Sequence, residues 1–497
     1  MTTIPESHLI DGIADALQYV SYYHPPDFIR HMAAAHDREQ SAPARSAIAQ
    51  ILVNSRMCAL GHRPICQDTG VANVFIRLGI GARILSDRSL QDIVDEGVRR
   101  AYLADDNPLR ASVVVDPLGT RRNSGDNTPA MLQTELVEGD RLSVHVSAKG
   151  GGSENKTRFA VLEPSDSVAD WVVKQVETMG AGWCPPGILG IGVGGGVDKA
   201  MALAKQALNE PLDMTTLLSR GASTPMEALR IEIYERVNAL GIGAQGLGGL
   251  TSVLDVKIAT FPTHAASLPV ALVPNCAATR HIFFELDGTG PPSFQPPDLS
   301  DWPQVTLDAT DGAAQHVDLD TLDDAEIRTW RPGDTLLLSG TLFTGRDAAH
   351  KRMVETLQAG DPLPIDLRGR AIYYVGPVDP VGSEVIGPAG PTTSTRMDRF
   401  TEEVLAGTGL KVMIGKAERG PEAIESIRRH GAAYLIAVGG SAYLVSQAIR
   451  SSEIVAYDDL GMEAIRRMVV SDMPVTVAVD TDGNSIHASG PAVWRRS

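Results

Sequence analysis

The stretch "TGPPSFQPPDLSDWP", residues 289–303, carries five prolines in fifteen positions. Proline removes the backbone donor that a helix interior or a central strand needs, so this density predicts a linker. The sequence changes rhythm across it. Before it, "SLQDIVDEGVRRAYL" (89–103) has the apolar spacing of an amphipathic helix with Ser89 as N-cap. "VDKAMALAKQAL" and "TPMEALRIEIYERVNAL" (224–240) also read as helices, while "DRLSVHVSAKGGGS" and "VALVPN" (270–275) read as strands. After it, strands such as "DTLLLSGTLFTGRD", "RAIYYVGPV" and "AAYLIAVGG" alternate with helices such as "MDRFTEEVLAGTG", which Gly407 is expected to stop. "MPVTVAVDTDGNSIHASG" carries an Asp-Gly hairpin signal. The expected fold is α/β: a helix-rich N-terminal α+β domain over 1–288, the linker 289–303, and a C-terminal β/α domain over 304–497.

The bulk numbers agree with two cores. A chain of 497 residues exceeds the size of a single core, and its 43% hydrophobic and 21% charged content is that of a globular protein. No apolar run approaches the ~20 residues needed to span a bilayer. "MTTIPESHLIDGIADALQYV" lacks the basic start and unbroken apolar stretch of a secretory leader. Four scattered cysteines form no disulfide framework, so a reducing cytoplasm is the expected compartment. The net charge of −17 opposes binding to nucleic acid or to an anionic membrane. An anionic substrate would feel the same repulsion, so its site would need a local cluster of Arg and Lys.

"GHRPICQDTG" (61–70) sets Cys66 in a turn directly before Gln67 and Asp68. Cys184 in "WCPPG" and Cys276 in "PNC" also lie within two residues of proline, whereas Cys58 in "VNSRMCALGH" reads as helical. Turns let a thiol project into a cleft, yet free cysteine is ordinarily a buried, inert side chain. The separations of 118 and 92 residues match no metal-binding C-x-x-C pattern. Spacing alone leaves catalytic thiol, metal ligand and structural side chain open. "GILGIGVGGGVDKA" places Gly190, Gly192 and Gly195 in a G-x-G-x-x-G pattern, but two prolines precede it and Glu210 lies in the turn "NEPLD". A dinucleotide fingerprint needs a strand before the glycines and an acidic residue after a second strand. A nicotinamide-dependent dehydrogenase is the alternative of a different class.

Arg110, Arg346, Arg396 and Lys416 all fall in or beside turn-rich segments. Singly, each reads as a solvated surface charge. Together they could supply the local positive field, and arginine's planar fork suits carboxylates. Asp68 and His264, in "FPTHAASLP", are candidates for proton transfer, although a lone histidine is more often structural.

"GHRPICQDTG", "AKGGGSENK", "TMGAGWCPPGILGIGVGGG", "FPTHAASLPVALVPNCAATRH", "GTLFTGRDAAHKR", "GPAGPTTSTRMDRF" and "GLKVMIGKAERG" together resemble the class I, iron–sulfur-dependent fumarate hydratases. The match runs in order over residues 45–490; residues 1–44 carry no matching motif. The resemblance implies an N-terminal domain that holds a 4Fe–4S cluster and a C-terminal swivelling β/α domain that closes on it. It implies Cys66, Cys184 and Cys276 as the three cluster ligands, leaving one iron open as a Lewis acid. It implies substrate contacts from Gln67, Asp68, Arg110, the loop at Gly151, Arg346, Arg396 and Lys416. Thr392 matches the catalytic base, with Thr393 beside it leaving the assignment ambiguous, and Asp68 with His264 matches a proton-donating pair. The substrate so implied is a small dicarboxylate, the reaction a hydration, and the assembly a homodimer. Mesaconate, with one extra methyl, and tartrate, with one extra hydroxyl, are alternative substrates, since a methyl pocket discriminates by only about 1–3 kcal/mol. Tartrate dehydratases of this kind are two separate chains, so the fusion favours fumarate. A non-enzymatic iron or redox sensor is the last alternative.

Overall fold

The computed structural model describes residues 2–305, 307 and 314–496; residues 306 and 308–313, inside the predicted C-terminal domain, lie outside the described residues. The N-terminal domain is built on two four-stranded sheets. The first has the order His281–Leu286, Leu142–Lys149, Val71–Gly79, Met131–Val137. Helices Glu6–Tyr22 and Leu90–Tyr102 cover it, and Ile10, Ile13, Leu17, Val94 and Val98 share its core with Val74, Val144 and Val146. As expected, Ser89 caps the second helix, its side chain accepting from the Asp92 amide.

The second sheet has the order Arg158–Leu162, Leu268–Asn275, Gly187–Gly194, Val253–Phe261. Its glycine-rich member explains the misleading fingerprint. Gly190 and Gly192 lie within the strand, with Gly195 just beyond it, and any side chain on Gly190 or Gly192 would run into the carbonyls of Ala204 and Ala200. They let the helix Val197–Ala207 lie close on the sheet, which is packing rather than phosphate binding.

In the C-terminal domain, strands Thr335–Thr344, Ala371–Tyr373, Val412–Gly415, Ala433–Ile436 and Ile465–Val479 pair in a closed ring. The first four run parallel and the fifth is antiparallel to both neighbours. Helices Asp347–Gln358, Asp398–Thr408 and Pro421–His430 connect the parallel strands in the β/α pattern expected. Two local expectations fail. Gly407 sits inside its helix against Leu357, and Gly409, left-handed at φ +69°, ends it. The Asp-Gly signal makes a turn at Gly483 that feeds the helix Ile486–Trp494 through a single bridge, Val479–Ser485, not a hairpin.

The proline-rich segment has no regular structure beyond one short turn at Leu299–Asp301, but it is not a free tether. Pro292 packs on Gly12, Phe294 on Tyr19 and Phe284, and Trp302 is buried with its indole N–H donating to Ser55 Oγ at 2.8 Å. The apolar cluster around helix Ala42–Gly61 runs without a break into the barrel's Ile372, Met413 and Ile436. Among the described residues no helix is long and apolar enough to cross a membrane.

Candidate active site

Strand register brings the distant turns together. Val71 pairs with Lys149, so the chain entering the first sheet from Asp68 passes the chain leaving it into Gly150. Ile188 pairs with Asn275, so the Cys184 turn lies beside Cys276, and the Ala277 amide donates to the Cys184 carbonyl at 3.1 Å. Facing these loops are the carboxyl ends of the parallel barrel strands, which carry Arg346, Gly376, Lys416 and Gly439. Ligand groups gather at such ends in α/β sheets.

Cys66, Cys184 and Cys276 are free thiols within electrostatic reach of one another. Burial pushes the Cys66 thiol up and raises Cys184 to about 11, while Lys416 pulls both down. Lys416 Nζ lies 3.0 Å from Cys184 Sγ. Burial works against its charge, but Cys184 and Cys66 outweigh it and hold the ammonium above its usual range. Among the described residues no three His, Cys, Asp or Glu side chains gather around one point as ligands of a single ion would. Cys66 and Cys184 each interact electrostatically with Cys276, and the three are sulfur donors of the soft kind. Cys58 stays inside helix Ala42–Gly61, fully buried against Ile65 and Cys66.

Asp68 sits under the glycine loop. Its Oδ2 accepts from the Gly151 amide at 2.8 Å, and Arg110 stands 4.0 Å from Oδ1. Burial would raise its pKa, but Arg110, Arg280 and Lys416 with that amide hold it below the ordinary aspartate range. The positive field required by the net charge is therefore present. A Cβ on Gly152 would lie 3.5 Å from Lys416 Nζ and 3.9 Å from Thr393 Oγ1, ordinary contact distances that place the glycine loop directly against the barrel.

The barrel contributes the rest. Arg110 donates to the Gly376 carbonyl at 2.5 Å, and Arg346, bound to Glu463 at 2.7 Å, packs against the same glycine. The buried Nε of Arg346 finds no partner among the described residues. Gln67 accepts from the Cys66 thiol and donates to the Pro391 carbonyl at 3.1 Å. Thr392 is buried, its amide donating to the Tyr374 carbonyl and its carbonyl accepting from the Lys416 backbone amide. Arg396 is turned aside, half-exposed and paired with Asp347 at 2.6 Å.

His264 is not brought in. It lies on the exposed loop after Phe261, before the strand Leu268–Asn275 whose far end carries Cys276. That strand spans roughly 25 Å. The predicted Asp68–His264 pair is therefore not formed within one chain. His264 Nδ1 instead accepts from the Ala266 amide of its own turn.

Sequence reasoning missed Arg280, four residues beyond Cys276, which is buried and donates to the Asp68 carbonyl at 2.8 Å. It also missed His24, in the segment left without a role. Neutral His24 accepts from Ser55 at Nδ1 and donates from Nε2 to the Ala277 carbonyl at 3.0 Å, anchoring the Cys276 loop. Burial drives its pKa down to about 3, opposed by the Ala277 hydrogen bond. The unfolded chain therefore binds a proton at this site below about pH 6.5 that the folded chain refuses until about pH 3. Stability should fall as pH drops through that window, by up to about 1.4 kcal/mol per unit from this residue. In His24→Gln, urea titrations between pH 7 and 4 should show a shallower slope.

Comparison with known proteins agrees with this architecture. The family model "Fumarate hydratase (Fumerase)" matches residues 10–285, and "Fumarase C-terminus" matches residues 288–490. The chain is 31% identical over 474 residues to the anaerobic class I fumarate hydratase of Escherichia coli K12, covering 91% of this chain and 84% of that protein. It is 31% identical over 470 residues to the aerobic class I enzyme of the same organism, covering 90% and 83%. A putative L(+)-tartrate dehydratase subunit alpha of Methanocaldococcus jannaschii is 33% identical over 278 residues, covering 54% of this chain and 94% of that subunit. Matched along both domains, the chain belongs to the class I fumarate hydratase family of hydro-lyases.

Proposed function

We propose that the chain catalyses the reversible hydration of fumarate to (S)-malate, with a 4Fe–4S cluster held by Cys66, Cys184 and Cys276. The observation that carries this reading is the convergence of three free thiols with Asp68, Arg110 and Lys416 in a chain similar along its length to class I fumarate hydratases. Soft thiolates are the donors that iron–sulfur clusters take, and loading must release the protons that burial keeps on Cys66 and Cys184. When bound, the cluster would supply Lewis-acid chemistry at an iron that no thiolate holds.

The remaining chemistry falls to the chain's own groups. Arg346, through its unpartnered Nε, and Arg110 are the donors for a substrate carboxylate. Arg396 would have to exchange Asp347 for substrate to join them. Thr392 is the base for the proton on the carbon next to a carboxylate, and a threonine hydroxyl can act so only beside cations such as Lys416. Asp68, held ionised, is an acceptor and orienting group, not an acid, within one chain. A homodimer and a cytoplasmic setting are part of the same proposal.

The test compares fumarate, mesaconate and tartrate as substrates of anaerobically reconstituted protein. The expected result is about four iron atoms per chain and kcat/KM for fumarate about 10–200-fold above that for mesaconate. The similarity to a tartrate dehydratase subunit supports a second reading, to be adopted if tartrate is the faster substrate.

A further inference from the structure

The thiol-bearing loops are not held by their own domain alone. After the barrel strand Ala433–Ile436 the chain turns at Gly439 and Gly440 and starts the helix Ala442–Ala448. Two fully buried carboxamides of the N-terminal domain reach this turn. Gln245 donates from Nε2 to the Pro185 carbonyl at 2.9 Å and to the Gly439 carbonyl at 3.3 Å, and its Oε1 accepts from the Gly439 amide at 2.8 Å. One side chain thus links the residue after Cys184 to both backbone groups of Gly439. Gln245 itself is left-handed, at φ +54°, a conformation uncommon outside glycine.

Asn54, inside helix Ala42–Gly61, repeats the arrangement at the Cys66 loop. Its Nδ2 donates to the Ile65 carbonyl at 3.1 Å and the Gly440 carbonyl at 3.0 Å, and its Oδ1 accepts from the Leu444 amide at 2.9 Å. The Leu444 amide is one of the unpaired donors at the start of the Ala442–Ala448 helix. The helix's own flanking residue, Ser441, makes no cap and donates to Val438 instead. The barrel helix is capped from the other domain. Between the two amides there is no slack: a Cβ on Gly439 would lie 2.7 Å from Cys184 Sγ and 3.1 Å from Gln245 Oε1.

We propose that Gln245 and Asn54 are positioning residues which clamp the Cys184 and Cys66 loops to the Gly439–Gly440 turn, so that these two thiols take their places only with the barrel seated. The inference rests on the reading of the three cysteines as the site. Each amide makes three hydrogen bonds that span both domains, and truncation leaves buried backbone groups unpaired, so the loops must open to find water.

The test uses cluster-free full-length protein and measures the iodoacetamide alkylation rate of each cysteine by peptide mass spectrometry. In Gln245→Ala the Cys184 rate should rise about ten- to a hundredfold, the scale of losing a buried amide's hydrogen bonds, with Cys58 unchanged. In Asn54→Ala the Cys66 rate should rise similarly, with exchange protection of the strand Val412–Gly415 kept as in the unmodified chain. Gly439→Ala retains both amides but wedges a methyl against Cys184, and should expose Cys184 alone. Unmodified rates at Cys184 in both Gln245→Ala and Gly439→Ala overturn the proposal. So does a uniform rise at all four cysteines, which would make the amides general supports of the fold. If the unmodified chain binds no iron or sulfide while the selective exposures occur, the cluster reading falls and the clamp stands.

Discussion

Cys184→Ser, reconstituted anaerobically, should hold neither iron nor acid-labile sulfide and should lose fumarate turnover by at least about a thousandfold, since Lewis-acid catalysis contributes several kcal/mol. Cys66→Ser and Cys276→Ser should behave alike, because the proposed cluster takes all three thiols as ligands. Cys58→Ala is the contrast. Cys58 touches Cys66 but points from a helix interior, with burial holding its thiol well above the usual range. Its loss should cost about 1–2 kcal/mol of stability through a small cavity and leave iron content and turnover intact. Iron and sulfide analysis with urea titration separates the two outcomes. Equal loss of iron in Cys58→Ala would mean that the wrong cysteines had been grouped.

Thr392→Ala should lower kcat by about a hundred- to ten-thousandfold, the range of a positioned acid or base, while keeping its iron. The neighbouring Thr393 is the informative control. Its Oγ1 lies with Lys416 Nζ beside Gly152, so Thr393→Ala removes a hydroxyl next to the glycine loop. The expected loss there is about tenfold or less, the scale of one hydrogen bond. Single-turnover rates with fumarate and with malate distinguish the two, and a larger loss at Thr393 would exchange their roles. In either variant, loss of iron would show that the threonine supports the thiol loops.

The alternation after the prolines and the caps of helices such as Leu90–Tyr102 were legible because each rests on local chemistry: apolar spacing, a serine before the first turn. The stop at Gly409 was misplaced at Gly407 because both glycines satisfy composition and only the left-handed backbone of one decides. Cys66, Gln67, Asp68, Arg110, Arg346 and Lys416 could be named from segments resembling a family. Their convergence could not, since it depends on the pairing of Val71 with Lys149 and Ile188 with Asn275 across long gaps. Asn54, Gln245 and His24 gave no signal, because each works through a backbone carbonyl of another segment, and a carbonyl has no sequence identity. Arg280 alone could have been suspected, from a cation four residues past a turn cysteine. His264 shows the converse: a matched motif names a residue that the fold holds at the far end of its strand from Cys276.

The pairing of Gly187–Gly194 with Leu268–Asn275 has a consequence for tolerated length changes. Deleting one residue within Leu268–Asn275 would turn the side chains between the deletion and Cys276 to the opposite face, or else shift the other part of the strand, and the first outcome draws Cys276 back from Cys184. Adding or removing residues at 262–267, the exposed tip at the other end, leaves that pairing untouched. Length changes at the tip carrying His264 should therefore leave the placing of Cys276 beside Cys184 intact, whereas those within the strand should not.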